Sequence, residues 1–182
     1  RLQSVLVAME RERWINFEDG LGERHVWVNL TDFRARIIDD GKVTFETRSV
    51  VGHKDEDRQT PEFSDVMEHM VINPSWYVPR SIVVGEYLPA IQKDSSAHGY
   101  LELTDDNGNV VGRGVDFAQF TEETFPFGMR QPPGPSNALG TVKFMFPNRH
   151  NIYLHDTPQR HLFSREVRTF SHGCVRLNDP HD

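Results

Sequence analysis

Apolar residues recur at Leu2, Val5, Leu6 and Met9, the spacing of one helix face, and a charged run from Glu10 to Arg13 follows. The pattern predicts an amphipathic helix over residues 2 to 14, within an N-terminal helix and connector that reaches residue 24. From His25 the text changes to short β-like runs: Val26-Trp27-Val28, then Arg34 to Ile38, then Val43 to Thr47. Asp40-Gly41, between the last two, is a hairpin signal. Residues 53 to 62 read as a polar loop, and Met67 to Ile72 as a strand that stops at Asn73-Pro74.

Residues 73–140 read as an insertion between two blocks of strand pattern. Ser81 is a candidate N-cap for a helix through Gln92, in which Pro89 predicts a kink. Tyr100 to Thr104 and Val110-Val111, joined by a turn from Asp105 to Asn109, predict a second hairpin. Trp76, Tyr77, Phe125, Phe127 and Met129 either line a cleft or form the insertion's small core, and core packing is the reading taken for most of them. The stretch from Gln131 to Asn137, rich in Pro and Gly, is of the kind that edges active-site lids. The insertion is therefore expected to gate a cleft rather than supply the main core.

Val142 to Phe146 and Ile152 to Leu154 then return as core strands. Tyr153 and His155 alternate with Leu154, which sets the first two on one face and Leu154 in the core. The fold class expected is mostly β with minor helices (α+β), in a single domain.

Composition narrows the function. A net charge of −7, with no Lys or Arg run, lacks the electrostatic footprint of a nucleic-acid binder. No apolar run approaches the roughly 20 residues that span a bilayer. A chain opening on Arg1 reads as mature or trimmed. Cys174 is the single cysteine, so no internal disulfide is available, and the bland reading of such a residue is a small buried hydrophobe.

Its surroundings argue otherwise. Cys174 closes the run Ser171-His172-Gly173-Cys174, and His155 lies 19 positions earlier, beside Asp156. A thiol is a weak nucleophile unless a base or a positive environment raises its thiolate fraction. Gly173 permits a tight turn that aims successive N–H groups at one point, where an oxyanion would be held. His150, His155, His161, His172 and Cys174 raise a zinc alternative. No CxxC or HExxH spacing accompanies them, so no metal or cofactor is assigned. His53 and His69, beside charged loops, are left out of the site.

His155, fifteen intervening residues, and Ser171-His172-Gly173-Cys174-Val175-Arg176-Leu177-Asn178 resemble the active-site signature of the L,D-transpeptidases, the YkuD-type cysteine enzymes of bacterial peptidoglycan. Phe146-Pro147-Asn148, Tyr153 to Pro158, Arg130 to Gly134 and Asn137 to Gly140 resemble the larger, lid-bearing branch. The resemblance spans roughly residues 25 to 182. It implies a β-sandwich with an inserted lid subdomain at 73–140, a catalytic strand and loop within 141–182, and a final part of the domain absent from this sequence.

The same resemblance implies Cys174 as nucleophile and His155 as its base. The main-chain carbonyl of Asp156 would orient the imidazole, and the N–H groups of His172, Gly173 and Cys174 would hold the oxyanion. Tyr153, Arg176 and Ser171 would contact substrate, with internal pairing to Asp179 as the alternative for Arg176. The His172 side chain is expected to hold the loop. The implied reaction releases the terminal D-alanine of a tetrapeptide stem, forms a thioester, and passes the acyl group to a second stem as a 3→3 cross-link. Its partners are donor and acceptor peptidoglycan stems, no cofactor is needed, and the setting is exported, in the periplasm or cell envelope. An L,D-carboxypeptidase using the same Cys/His site is the alternative. A catalytically dead cell-wall-binding module stands further off. A papain-like hydrolase would carry its cysteine before its histidine, the reverse of the order here.

Overall fold

The computed structural model describes residues 1–14 and 20–182; residues 15–19 of the expected connector lie outside it. The predicted helix is present as α1 (Leu2–Trp14). Its apolar face is not buried, since Leu2, Val5, Leu6 and Met9 are each more than half exposed.

Strands β1 (Arg24–Asn29), β2 (Arg34–Asp39) and β3 (Lys42–Gly52) form an antiparallel meander. Asp40 and Gly41 both take left-handed φ, 48° and 74°, as the tight two-residue hairpin demands. Next come β4 (His69–Ile72), β5 (Trp76–Tyr77), β6 (Glu102–Thr104), β7 (Val110–Val111) and β8 (Gly128–Gln131). The chain ends with β9 (Val142–Met145), β10 (Leu154–His155), β11 (Thr169–Ser171) and β12 (Val175–Leu177).

These strands make two sheets. The larger has the order β1-β2-β3-β12-β10-β9-β4, with β11 pairing β3, and the smaller has the order β5-β8-β6-β7. Together with short helical pieces this is the mostly β class expected, in a sandwich-like arrangement. Strand β10 runs parallel to β12. Parallel neighbours need a crossover, and the segment between them, with its 3₁₀ turn at Arg160–Ser164, supplies it.

Strand β10 is shorter than the pattern predicted, because Ile152 and Tyr153 lie outside it. Asn148 draws the backbone away: its Oδ1 accepts from the N–H groups of His150 and Ile152, and its Nδ2 donates to the carbonyls of Phe146 and Ile152. Asn151 takes a left-handed φ of 54° inside that clasp.

Each sheet has its own core. Leu154, Val175, Leu177, Val51 and Ala35 pack together under the larger sheet. Val83, Leu88, Ile91, Leu101, Leu103, Phe117, Phe125 and Met129 are among those that pack within the segment of the smaller one. Of the aromatic residues expected there, Phe125 is buried and Trp76 and Phe127 pack at the edge, while Tyr77 is exposed. The predicted helix begins two residues earlier, as α2 (Arg80–Ile82), a π-helical turn (Val83–Tyr87) and α3 (Leu88–Lys93). Its N-cap is Pro79, with Ser81 inside the first turn. Pro89 produces no break because it falls in the first turn of α3, where its missing N–H removes no helical bond. The wide π turn before it gives the ring room.

Irregular backbone still needs hydrogen-bond partners, and three arginines provide them. Arg80 donates to the carbonyls of Glu122, Phe125 and Phe127, and Arg113 to those of Ser95, Ala97, His98 and Leu101. Arg168, 9% exposed, donates to Ser49, Arg165 and Phe33 and lies over the Phe33 ring. Arg168→Met should therefore cost about 3 kcal/mol, the scale of several carbonyls left without donors. Urea denaturation measures it, and a loss under about 0.5 kcal/mol, the usual surface value, would contradict the assignment.

Candidate active site

In the larger sheet Lys143, His155 and Arg176 stand directly opposite one another on the adjacent strands β9, β10 and β12. Residues in register share a face. The neighbouring row, Phe144, Leu154 and Val175, faces the core beneath, which leaves the His155 row on the opposite face. Leu154 is thus core, as the alternation predicted, and the Tyr153 ring lies 5.6 Å from that of His155.

His155 Nδ1 is 2.5 Å from the main-chain oxygen of Asp156. A carbonyl only accepts, so Nδ1 carries the hydrogen and Nε2 keeps its lone pair. The ring is 4% exposed. Burial first, and then the charge of Arg176, push its pKa down to about 3, so the resting imidazole is neutral. The Asp156 carboxylate points elsewhere, accepting from Thr141 N–H and Oγ1 at 2.9 Å each and pairing with Arg160 at 2.8 Å. Burial alone would raise the pKa of Asp156, but these bonds outweigh it and hold the group below the ordinary carboxylate range.

Cys174 sits at the end of a turn made by Gly173 in a left-handed conformation, φ 112°. A side chain there would press to 2.8 Å from Ile152 Cδ1. The turn is held from several sides. Thr60 Oγ1 donates to the Gly173 carbonyl at 2.6 Å and accepts from Gly52 N–H at 2.8 Å. Ser171 Oγ donates to the Cys174 carbonyl and accepts from the Gly173 N–H. His172 Nε2 meets Glu86 Oε1, on the π turn of the smaller-sheet segment, at 2.8 Å, and Arg58 reaches the same oxygen at 3.0 Å.

The thiol is half-buried and donates to the Asn151 carbonyl at 3.7 Å. A thiol has one hydrogen, so it does not donate to His155 in this conformation. Burial pushes its pKa up against the pull of Tyr153, Arg176 and Lys143, and the resting group is the protonated thiol. Burial and the nearby sulfur also push the Tyr153 phenol up, which keeps its O–H as a donor beside Cys174.

The structure therefore gathers His155, Asp156, Tyr153, Cys174 and Arg176 around one point of the larger sheet. Two expectations change. Ser171, 3% exposed, is turned into the loop with both its bonds internal, away from a position that would touch substrate. The Gly173 N–H, expected as an oxyanion donor, is held by that same hydroxyl. Arg176 does not pair with Asp179: its Nη1 donates to Gln159 Oε1, while Asp179 accepts from Thr47 and Asn178. A cavity of about 340 Å³, lined by Glu56, Asp57, Gln59, His150, Ile152 and His172 among others, opens beside the loop. Among the described residues no three His, Cys, Asp or Glu side chains gather as a metal site.

Lys143, Thr60, Glu86, Arg58 and Asn148 escaped the sequence reading. Lys143 was legible in retrospect, as the polar residue of a strand whose register with His155 only the fold reveals. Thr60, Glu86 and Arg58 act from distant segments and carry no local signal, while Asn148, within a run the resemblance includes, was given no role.

A mostly β domain with its histidine strand parallel to its cysteine strand matches a known family. The model of the YkuD family, the L,D-transpeptidase catalytic domain, covers residues 23–182, and the chain belongs to that family. A curated Haemophilus influenzae protein, provisionally named an L,D-transpeptidase, is 36% identical over 155 residues. That match takes in 84% of this chain, which spans only 31% of the relative's length. The solved structure of the LD transpeptidase LdtMt1 with imipenem is similar at 13% identity, TM-score 0.44, over 85% of this chain and 49% of that one.

The neutral burial of His155 has a pH signature. As pH falls the unfolded chain takes up this proton first, near 6.5, whereas the fold resists until about 3. Its contribution to stability is complete above about pH 6.5 and is lost on descending through that window, at most about 1.4 kcal/mol per pH unit. Between pH 7 and 5 the parent should lose about 2 kcal/mol more than His155→Gln. Equal losses in urea titrations would mean that the ring is not held neutral.

Proposed function

We propose that this chain is a peptidoglycan L,D-transpeptidase domain that works through a thioester on Cys174. The observation that supports this best is the imidazole of His155, clamped through Nδ1 by the Asp156 carbonyl, with Nε2 unprotonated on the strand beside the cysteine. The thiol turns from Asn151 and passes its proton to Nε2, and the sulfur attacks the carbonyl of the third residue of a tetrapeptide stem. The negative oxygen is met by main-chain N–H groups, those of His172 and Cys174 first; each such donor is worth about 3 kcal/mol in the transition state. The C–N bond breaks, and Nε2 returns its proton to the leaving D-alanine amine. An amine of a second stem then attacks the thioester, giving a 3→3 cross-link. Water in that place makes the same site an L,D-carboxypeptidase.

Tyr153 and Arg176 are the side chains assigned to substrate. Residues 73–140 are assigned as the lid, with Glu86 its contact to the catalytic loop. Its own core supports reading it as a separate cap. Cross-linking of stems places the enzyme outside the cytoplasmic membrane, and fractionation with the cytosol of the source cell would contradict this reading.

Incubation of the purified protein with disaccharide-tetrapeptides, followed by product masses, separates cross-linking from hydrolysis and from inactivity. Cys174→Ala should abolish both products while leaving the urea midpoint close to that of the parent, and equal activity would end the cysteine mechanism. His155→Ala should slow acylation by a carbapenem at least about a hundredfold, the general-base contribution. Intact mass reads that rate, and an unchanged value would mean another base serves the thiol. For the lid, amide exchange at the seams near Asn73 and Gly140 should slow when a carbapenem occupies Cys174. Seams indifferent to acylation would contradict a cap over the cleft.

A further inference from the structure

Two cations flank the base, and among the described residues neither pairs with a carboxylate. Lys143 and Arg176 stand in register with His155, one on each side, and Lys143 Nζ lies 5.4 Å from the centre of the Tyr153 ring. The polar partner of Arg176 is a neutral amide, Gln159, and its buried Nε has none. A buried guanidinium that keeps a donor idle is costly. Burial accordingly lowers the proton affinity of Arg176. Asp179, the acid nearest to Arg176 in sequence, is taken by Thr47 and Asn178, and Asp156, beside the base, by Thr141 and Arg160. The other groups facing His155 are the Asp156 carbonyl and the Tyr153 ring, and next along the row on β3 comes the apolar Val50. Both cations also act on the Cys174 sulfur, so they surround the point where substrate must sit.

We infer that Lys143 and Arg176 form a two-cation cradle for the terminal carboxylate of the donor stem. This rests on the transpeptidase reading above. The empty cradle opposes any positive charge on the imidazole, because both cations act to depress its protonation. A bound carboxylate lifts that opposition at the ring and, by the same neutralisation, weakens the support the cations give a thiolate at Sγ. The proton that passes from Sγ to Nε2 later departs on the D-alanine amine with the carboxylate still attached. The cradle therefore acts by holding the donor, and it favours a stem that ends in a free carboxylate.

Alkylation of Cys174 separates the cradle from the peptide chemistry. Rates with iodoacetate, an anion, and iodoacetamide, its neutral analogue, are measured by intact mass and divided, with glutathione as reference. The ratio for the parent should exceed that of glutathione by roughly fivefold, the scale of a partly screened charge pair. Lys143→Met should bring it down toward the reference and Lys143→Arg should restore it. Arg176→Gln should act like Lys143→Met, but Lys143 decides the matter if the arginine variant fails to fold. A parent ratio equal to that of glutathione, or one untouched by Lys143→Met, overturns the cradle. In a second arm, tetrapeptide with a free C-terminus is compared with its C-terminal amide. The amide should lose at least about tenfold in kcat/KM with the parent and far less with Lys143→Met; equal losses in both proteins overturn the assignment to the terminal carboxylate. Should the alkylation ratio behave as expected while no peptide is turned over, the cradle stands and the transpeptidase reading fails.

Discussion

The imidazole of His155 must remain neutral to stay buried, and much of the neighbouring structure serves that requirement. A neutral ring has one donor and one acceptor nitrogen, and the Asp156 carbonyl settles which is which. That carbonyl is itself held, because the carboxylate of the same residue is anchored to Thr141 and Arg160. The anchor in turn requires Gly140, where a Cβ would overlap the Asp156 carboxylate and where φ is left-handed, +61°. An alanine at position 140, near the start of β9, would thus act on a ring in β10 through Asp156, whose carboxylate it would displace and whose carbonyl holds Nδ1.

Helices and sheets satisfy their own backbone, but a chain whose strands are this short leaves many carbonyls to loops. Arg80, Arg113 and Arg168 answer this by reaching three or four carbonyls each. The planar fork of a guanidinium suits it to such work better than a lysine. Arg80 and Arg113 act inside the segment of the smaller sheet, and Arg168 ties the turn after β1 to the crossover that delivers the cysteine strand. Charge here shapes the backbone, and in an acidic protein these cations are not spare.

The hairpin at Asp40-Gly41, the helix at residues 2–14 and the inward Leu154 were legible because each rests on local chemistry: a turn dipeptide, a 3.6-residue period, an alternation. The spacing of His155 to the Ser-His-Gly-Cys run was legible as a motif, and the fold sets the strand of the one beside the strand that follows the other. What failed did so where specific hydrogen bonds or strand pairing, which no period or turn signal announces, override the pattern. Ser171 reads as an exposed polar group beside a thiol, yet folding turns it inward to hold the Gly173 N–H. Ile152 and Tyr153 read as strand, yet Asn148 pulls their backbone into a clasp. Tyr77 reads as core on a two-residue strand whose outer face is solvent. Lys143 needs strand register to acquire meaning, and register is a property of three strands together.

The thiol loop is rigid on every side but one. Thr60 holds the Gly173 carbonyl, Ser171 spans the turn, and Glu86 with Arg58 secures His172 from the opposing segment. The sulfur's contact runs to the Asn151 carbonyl, and rotation about the Cα–Cβ bond would release it. A backbone held at this many points keeps its geometry, the condition under which main-chain donors stabilise a developing charge most. Burial raises the thiol and depresses the imidazole, so each rests uncharged. Rigidity and reactivity therefore pull against each other at this site.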